Sequence, residues 1–437
     1  MTGLVSTRGG IVRDVCRVAL PPHLPAELRL YAAALTDCSR TFGWPADRSG
    51  AGCAWWDEEA ARCAALGEAV ERYCGNLVPM GLMVASYEQL VAHGEPAIDP
   101  STLALFSAEQ HASDGFPYEP FTGELRVHWT EGRDLVTGRP CRMPASLVYP
   151  SYASCTEHGA PRTNPVPYAG LAAARSRSAA LLAAMLELLE RDAVTLAWLA
   201  GGPLVQIAVP EPFDALFAGP ERALRTSLVL FPSAYGVPVL GALVHDPERK
   251  RFALGTACRP DPWQAALKAV CEAMQLHPIL DQLDDPRSAL MRDAAAPGGC
   301  LHPWRADRAY RCSYAPDLRD ATDLLCQLQL HLDPSLHGAL LARVHDGPTL
   351  GLEAVAPGGP TTAAQLAARL TDAGLRVAWT DVTTSDVRPL GWHAVRVVVP
   401  GLQPNTPPAF PALGGARLRA ALRRLGAAPD LSPIPYA

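Results

Sequence analysis

Three stretches of the chain carry apolar residues at helical spacing and are then interrupted by the same short charged pattern. They are GAGCAWWDEEAARCAALGEAVERYCG (50–75), AALLAAMLELLERDAVTLAWLA (179–200) and GTACRPDPWQAALKAVCEAMQLH (255–277). Each follows a small-residue loop: Gly50 and Gly52, then Gly170, then Gly255. Each then offers an N-cap, Asp57, Ser176 or Asp261, and Pro262 suits the first position of the third helix. Eleven residues past the cap stands Glu68, Glu187 or Glu272, and three further on Glu71, Glu190 or Gln275. Arg72 and Arg191 complete the first two copies, whereas the third has Leu276. Eleven residues is about three turns, so the acids lie at similar height and rotation from their caps. The alanines eight past each cap, Ala65, Ala184 and Ala269, predict close approach between these helices.

Residues i, i+3 and i+4 share one helix face, so E-x-x-E-R displays two carboxylates and a guanidinium on one patch. On a wet surface that is an ordinary internal ion pair. The middle copy, however, is apolar nearly all round, which predicts burial. Buried carboxylates repel one another unless cations neutralise them. Three converging helices would offer hard oxygen ligands suited to Mg²⁺, with arginines suited to phosphate. The pattern therefore points to a magnesium–nucleotide site. It contains no GxxxxGK[ST], kinase-type glycine loop, HExxH or GxSxG.

Elsewhere the periodicity predicts a strand at VCRVAL and a helix from about Pro25, within a lead-in over 1–44. Residues 291–320 are irregular and read as an excursion or surface loop. PTLGLEAVAP, LRVAWTDV and HAVRVVVPG read as strands, TTAAQLAARLTDAG as a helix, and GGARLRAALRRLG (414–426) as a basic helix with a solvated face. Trp55 and Trp56 read as core or staple residues. The fold class expected is α+β, with sheets covered by helices.

Bulk properties narrow the picture. The 437 residues would suit about three average domains or one large one. At 49% hydrophobic and 19% charged, the chain can bury a large core. A net charge of −6 without a long basic run does not suggest a nucleic-acid partner. The charges inside 179–200 argue against a membrane span, and the N-terminus lacks the apolar run of a secretory signal. The twelve cysteines form no CxxC pair, so they read as reduced core filler in a cytoplasmic protein.

The chain resembles the YcaO family from about residue 45 to its end. The resemblance rests on GEAVERY (67–73), WTEGRDLVTGRPCRMPASLVYP (129–150), AGLAAARSRSAALLAAMLELLERDAV (169–194), LGTACRPDPWQAALKAVCEAMQ (254–275) and WTDVTTSDVRPLGWHAVRVVVPGLQP (379–404). It implies a YcaO-type fold over 45–437 and an ATP- and Mg²⁺-dependent cyclodehydratase. In such enzymes a Cys, Ser or Thr of a ribosomal precursor peptide attacks the preceding amide. ATP phosphorylates the resulting oxyanion, and loss of phosphate leaves a thiazoline or oxazoline. By the matching motifs, Glu68, Glu71, Glu187 and Glu190 would ligate Mg²⁺. Arg72 and Arg191 would hold phosphates, and Glu272 and Gln275 would form a third wall. The ending SPIPYA (432–437) resembles the proline-rich tail of azoline-forming members. There Pro433 and Pro435 would lead the chain to the site, with Pro435 and Ala437 at the reacting end. The implied partners are the precursor peptide, a separate E1-like leader-binding protein, an FMN-dependent azoline dehydrogenase and a second copy of the chain.

The sequence also departs from the family pattern. Ala64 stands where serine is usual, Tyr168-Ala169-Gly170 where Ser-Asn-Gly is usual, and His277 where an arginine is common. These losses support a second reading, a non-catalytic scaffold that binds peptide or pairs with an active relative. In a third reading the nucleophile differs: sulfide would give a thioamide, an amine an amidine.

Overall fold

Strands Val12–Arg17, Leu28–Leu35 and Ser49–Trp55 form an antiparallel sheet in that order. The structure, a computed structural model, describes residues 3–155, 160–211, 213, 224–294 and 299–436. The helix expected from about Pro25 is therefore a strand. Its residues read as helix formers, but Leu28 and Leu30 are buried in one core cluster, Ala33 and Leu35 in another, and both edges are paired. Pairing and packing override the local preference.

Three further sheets are found among the described residues. The longest-stranded has five strands, with Arg251–Cys258 at one edge and Thr349–Leu350 at the other. A four-stranded sheet places Ala378–Asp381 beside His393–Val398 and that beside Leu171–Ala174. A small sheet joins Met83–Ala85, Val127–Thr130 and Met143–Pro144. The strand expected at PTLGLEAVAP shrinks to Thr349–Leu350 followed by a 3-10 turn. Within 291–320, Leu301, Tyr310, Tyr314 and Leu318 are buried against the third long helix, so this stretch is not a free surface loop. The basic helix Ala416–Leu425 docks through buried Leu418 and an Arg417–Asp192 ion pair of 2.5 Å.

The three acidic helices form as expected: Glu58–Gly75, Arg177–Ala200 and Pro262–Leu283. Their caps are the predicted ones, with Asp57, Ser176 and Asp261 accepting from the amides of Ala60, Ala179 and Trp263. What precedes each cap is a strand rather than a loop: Ser49–Trp55, Leu171–Ala174 and Arg251–Cys258. Here the small residues acquire a purpose different from the one expected. A Cβ on Gly52 would lie 2.2 Å from the Ala65 nitrogen, and one on Gly255 would lie 2.1 Å from the Ala269 oxygen. Glycine and alanine thus let each helix lie on its own strand, rather than on another helix.

Each helix also touches the strand that introduces the next one. The first packs on Leu171–Ala174, the second on Arg251–Cys258, and the third on Ser49–Trp55. Three strand–helix units therefore close into a ring. Because the glutamates stand at the same height on each helix, ring closure is what draws them towards one another.

Candidate active site

The first glutamate of the first two units is held by the strand before its own helix. Glu68 accepts from the Ala51 amide and Glu187 from the Gly170 amide, each at 3.0 Å. Gly170 can sit there because its φ is +88° and a Cβ would lie 2.6 Å from the Val397 oxygen. Glu190 instead reaches the next strand: it accepts from the Thr256 hydroxyl at 2.6 Å and the Cys258 amide at 3.1 Å. Its neighbour Arg191 lies 3.3 Å away and also donates to Thr256.

Cations divide unevenly among the acids. Arg72 pairs with Glu68 at 3.3 Å and lies over the Tyr168 ring. Lys268 pairs with Glu272 at 2.5 Å. Burial alone would raise Glu272, but Lys268, Arg191 and Arg259 hold it below the usual carboxylate value. Glu71 and Glu187 form no ion pair among the described residues. Burial pushes Glu71 well above its ordinary value; Glu187 and Glu68 push the same way, against Arg72 and Arg396. Glu187 is raised likewise, by burial first and then by Glu190, against Arg191, the Gly170 amide and Arg396.

Arg396 was not singled out in the sequence. It is 2% exposed, and burial pushes its guanidinium down to about 10 against the pull of Glu187 and Glu71. Its nitrogens donate to the carbonyls of Leu147 at 2.9 Å and Tyr168 at 3.2 Å. A lone arginine inside the strand HAVRVV was the available signal, since such a side chain is almost never buried unpaired. Lys268 and Thr256 were also missed.

The remaining expected residues fall as follows. Gln275 is half-buried, and its side chain makes no hydrogen bond among the described residues. His277 is 0% exposed, so it is directed into the core and does not replace the arginine common at that position. Residues 430–436 are threaded into the protein. The Pro435 carbonyl accepts from the Leu254 amide at 2.7 Å, and the Ile434 amide donates to Gln327 at 2.9 Å. Next to Pro435, Tyr436 meets the site, with the Arg191 guanidinium 5.3 Å over its ring. Ala437 lies outside the described residues.

Among the described residues no three His, Cys, Asp or Glu side chains are grouped to hold a metal by themselves. No described helix is long and apolar enough to cross a membrane.

The fold is shared with solved structures. A heterocyclase in complex with substrate and cofactor matches at a TM-score of 0.68 and 21% identity, covering 99% of this chain and 56% of that one. The YcaO from Methanopyrus kandleri bound with AMPPCP and Mg²⁺ matches at 0.59 and 20%, covering 90% and 86%. Among curated relatives, an uncharacterized protein in the tfuA 3' region of Rhizobium leguminosarum bv. trifolii is 26% identical over 235 residues. That match covers 50% of this chain and 52% of the relative, so this chain spans about half of it. The chain belongs to the YcaO family: the model described as "YcaO cyclodehydratase, ATP-ad Mg2+-binding" matches residues 56–403.

Proposed function

We propose that the chain is an ATP- and Mg²⁺-dependent cyclodehydratase acting on backbone amides of a ribosomally made peptide. A Cys, Ser or Thr side chain of that peptide would be the nucleophile. The observation that carries the reading is the pair Glu71 and Glu187, two half-buried acids without an ion-pair partner among the described residues, bracketed by Arg72, Arg191 and Arg396. Such a pair is unfavourable in isolation and becomes favourable when a divalent cation sits against it. Glu71 and Glu187 would hold Mg²⁺, while Glu68 and Glu190, already satisfied, orient Arg72 and Arg191. This narrows the metal ligands from the four expected to two.

Bound ATP would supply the phosphoryl group that turns an amide oxygen into a leaving group. The chain's own contribution is positioning and charge: Arg191, fixed by Glu190, Thr256 and Tyr436, presents its guanidinium to phosphate oxygens. The peptide would be delivered by a separate E1-like, leader-binding protein, with an FMN-dependent dehydrogenase acting afterwards and the chain itself a homodimer. The scaffold reading keeps one specific support, the withdrawal of His277 into the core. Calorimetric titration with Mg-ATP separates the two. An enzyme binds it, and with precursor and partner it hydrolyses ATP and removes one water per ring, seen by mass spectrometry. A chain that binds no nucleotide even with its partner present is a scaffold.

A further inference from the structure

A cleft of about 110 Å³ opens beside Arg191 and Arg396, the guanidiniums that face the carboxylates. Its wall includes Leu188, which follows Glu187, together with Arg191 and Arg396. The rest is largely apolar, with Leu105, Val166 and Val399 among its lining. Two of its side-chain amides are already committed: Asn164 donates to the carbonyls of Ser146 and Pro165, and Gln403 to that of Ala412. Those two offer little to a nucleotide base, whose edges need free donors and acceptors. An apolar side chain needs none, and the two guanidiniums disfavour a basic one.

The cleft is continuous with a second groove through Asn405 and Thr406, which line both. An extended peptide, residues 430–436 of this chain, forms one wall of that second groove. Its main chain is gripped at Pro433, Ile434 and Pro435 by His331, Gln327 and Leu254, and its Ile434 and Tyr436 side chains are buried. One half of the surface thus displays how the molecule binds extended apolar peptide, and the other half lies open next to the acids.

We infer that the open cleft is a specificity subsite for an apolar side chain of the substrate peptide, next to the residue whose amide reacts. The inference rests on the peptide reading above. The probes are acetyl-Gly-X-Cys-Gly amides with X as Leu, Ser or Lys, titrated into methyl-labelled protein and followed by NMR. The leucine peptide should shift the methyl signals of Leu105 and Val399 and bind about ten-fold or more tighter than the other two. Leu105→Asn should erase that preference, and Leu105→Trp, which fills the cleft with an apolar ring, should block the leucine peptide. Both should leave Mg-ADP binding unchanged. Equal affinity for the three peptides overturns the subsite. So does loss of Mg-ADP binding in both variants with the peptide preference intact, because the cleft would then hold the base. A chain that prefers leucine yet hydrolyses no ATP with any peptide and partner refutes the cyclodehydratase reading and leaves the subsite standing.

Discussion

The first two long helices carry the same E-x-x-E-R pattern and use it in opposite ways. On the first, the arginine turns back one turn, so Glu68 is neutralised and Glu71 is left over. On the second, the arginine pairs with its immediate neighbour, so Glu190 is neutralised and Glu187 is left over. The cause lies outside the pattern. Arg72 is drawn towards Asp47 and the Tyr168 ring, whereas Arg191 is drawn towards Thr256 and the Tyr436 ring. The inversion leaves one acid on each helix without an ion pair, and Glu187 raises Glu71. Repetition supplies the groups, and their neighbours decide which remain free for a ligand.

The sharpest way to break this comparison is to remove the leftover acids. Glu71→Gln and Glu187→Gln should each lower ATP turnover by on the order of 10²–10³, as loss of a group aimed at the reacting charge commonly does. Glu68→Gln should cost less. Equal losses at Glu68 and Glu71 would refute the division between paired and leftover acids. Next in size is the ring itself. Gly255→Ala drives a methyl into the backbone of the third helix and should destabilise the protein by about 2 kcal/mol or more, measured by chemical denaturation.

Smaller effects sharpen the contrast. Tyr436→Ala should weaken Mg-ATP binding about three- to ten-fold, the usual worth of a cation–π contact, while Tyr436→Phe should not. The pH dependence follows from sign. Glu71 and Glu187 are raised relative to the unfolded chain, so whatever stability they contribute without metal is present at low pH and is lost as pH rises through their raised values. A cation binds the ionised forms, so calorimetry should show Mg²⁺ affinity increasing and protons released across that same rise. By the same logic Glu71→Gln should raise the melting temperature of the metal-free protein at neutral pH by roughly 2 °C, about 1 kcal/mol.

Much of this arrangement was legible from local chemistry. Caps, helix extents and the common height of the acids depend on residues a few positions apart, and Asp57, Ser176 and Asp261 fell where expected. What depended on distant partners was not legible. Leu28–Leu35 is a strand only because two neighbours pair with it, and Glu190 is saturated only because Thr256 and the Cys258 amide arrive from another unit. The alanines Ala65 and Ala269 were noticed for the right reason, close approach, but assigned to the wrong neighbour. Arg396 lay in a stretch read only as a strand, and its importance emerges from what the four-stranded sheet places beside it.

That buried guanidinium also belongs to two places at once. It forms part of the cleft wall and feels the field of Glu187 and Glu71. A molecule entering from the cleft side alters the potential experienced by an ion arriving at the acids. Linkage then requires symmetry: whatever factor the first guest applies to the second, the second returns to the first. Coupling between the two guests would therefore run through a single side chain, without any moving part.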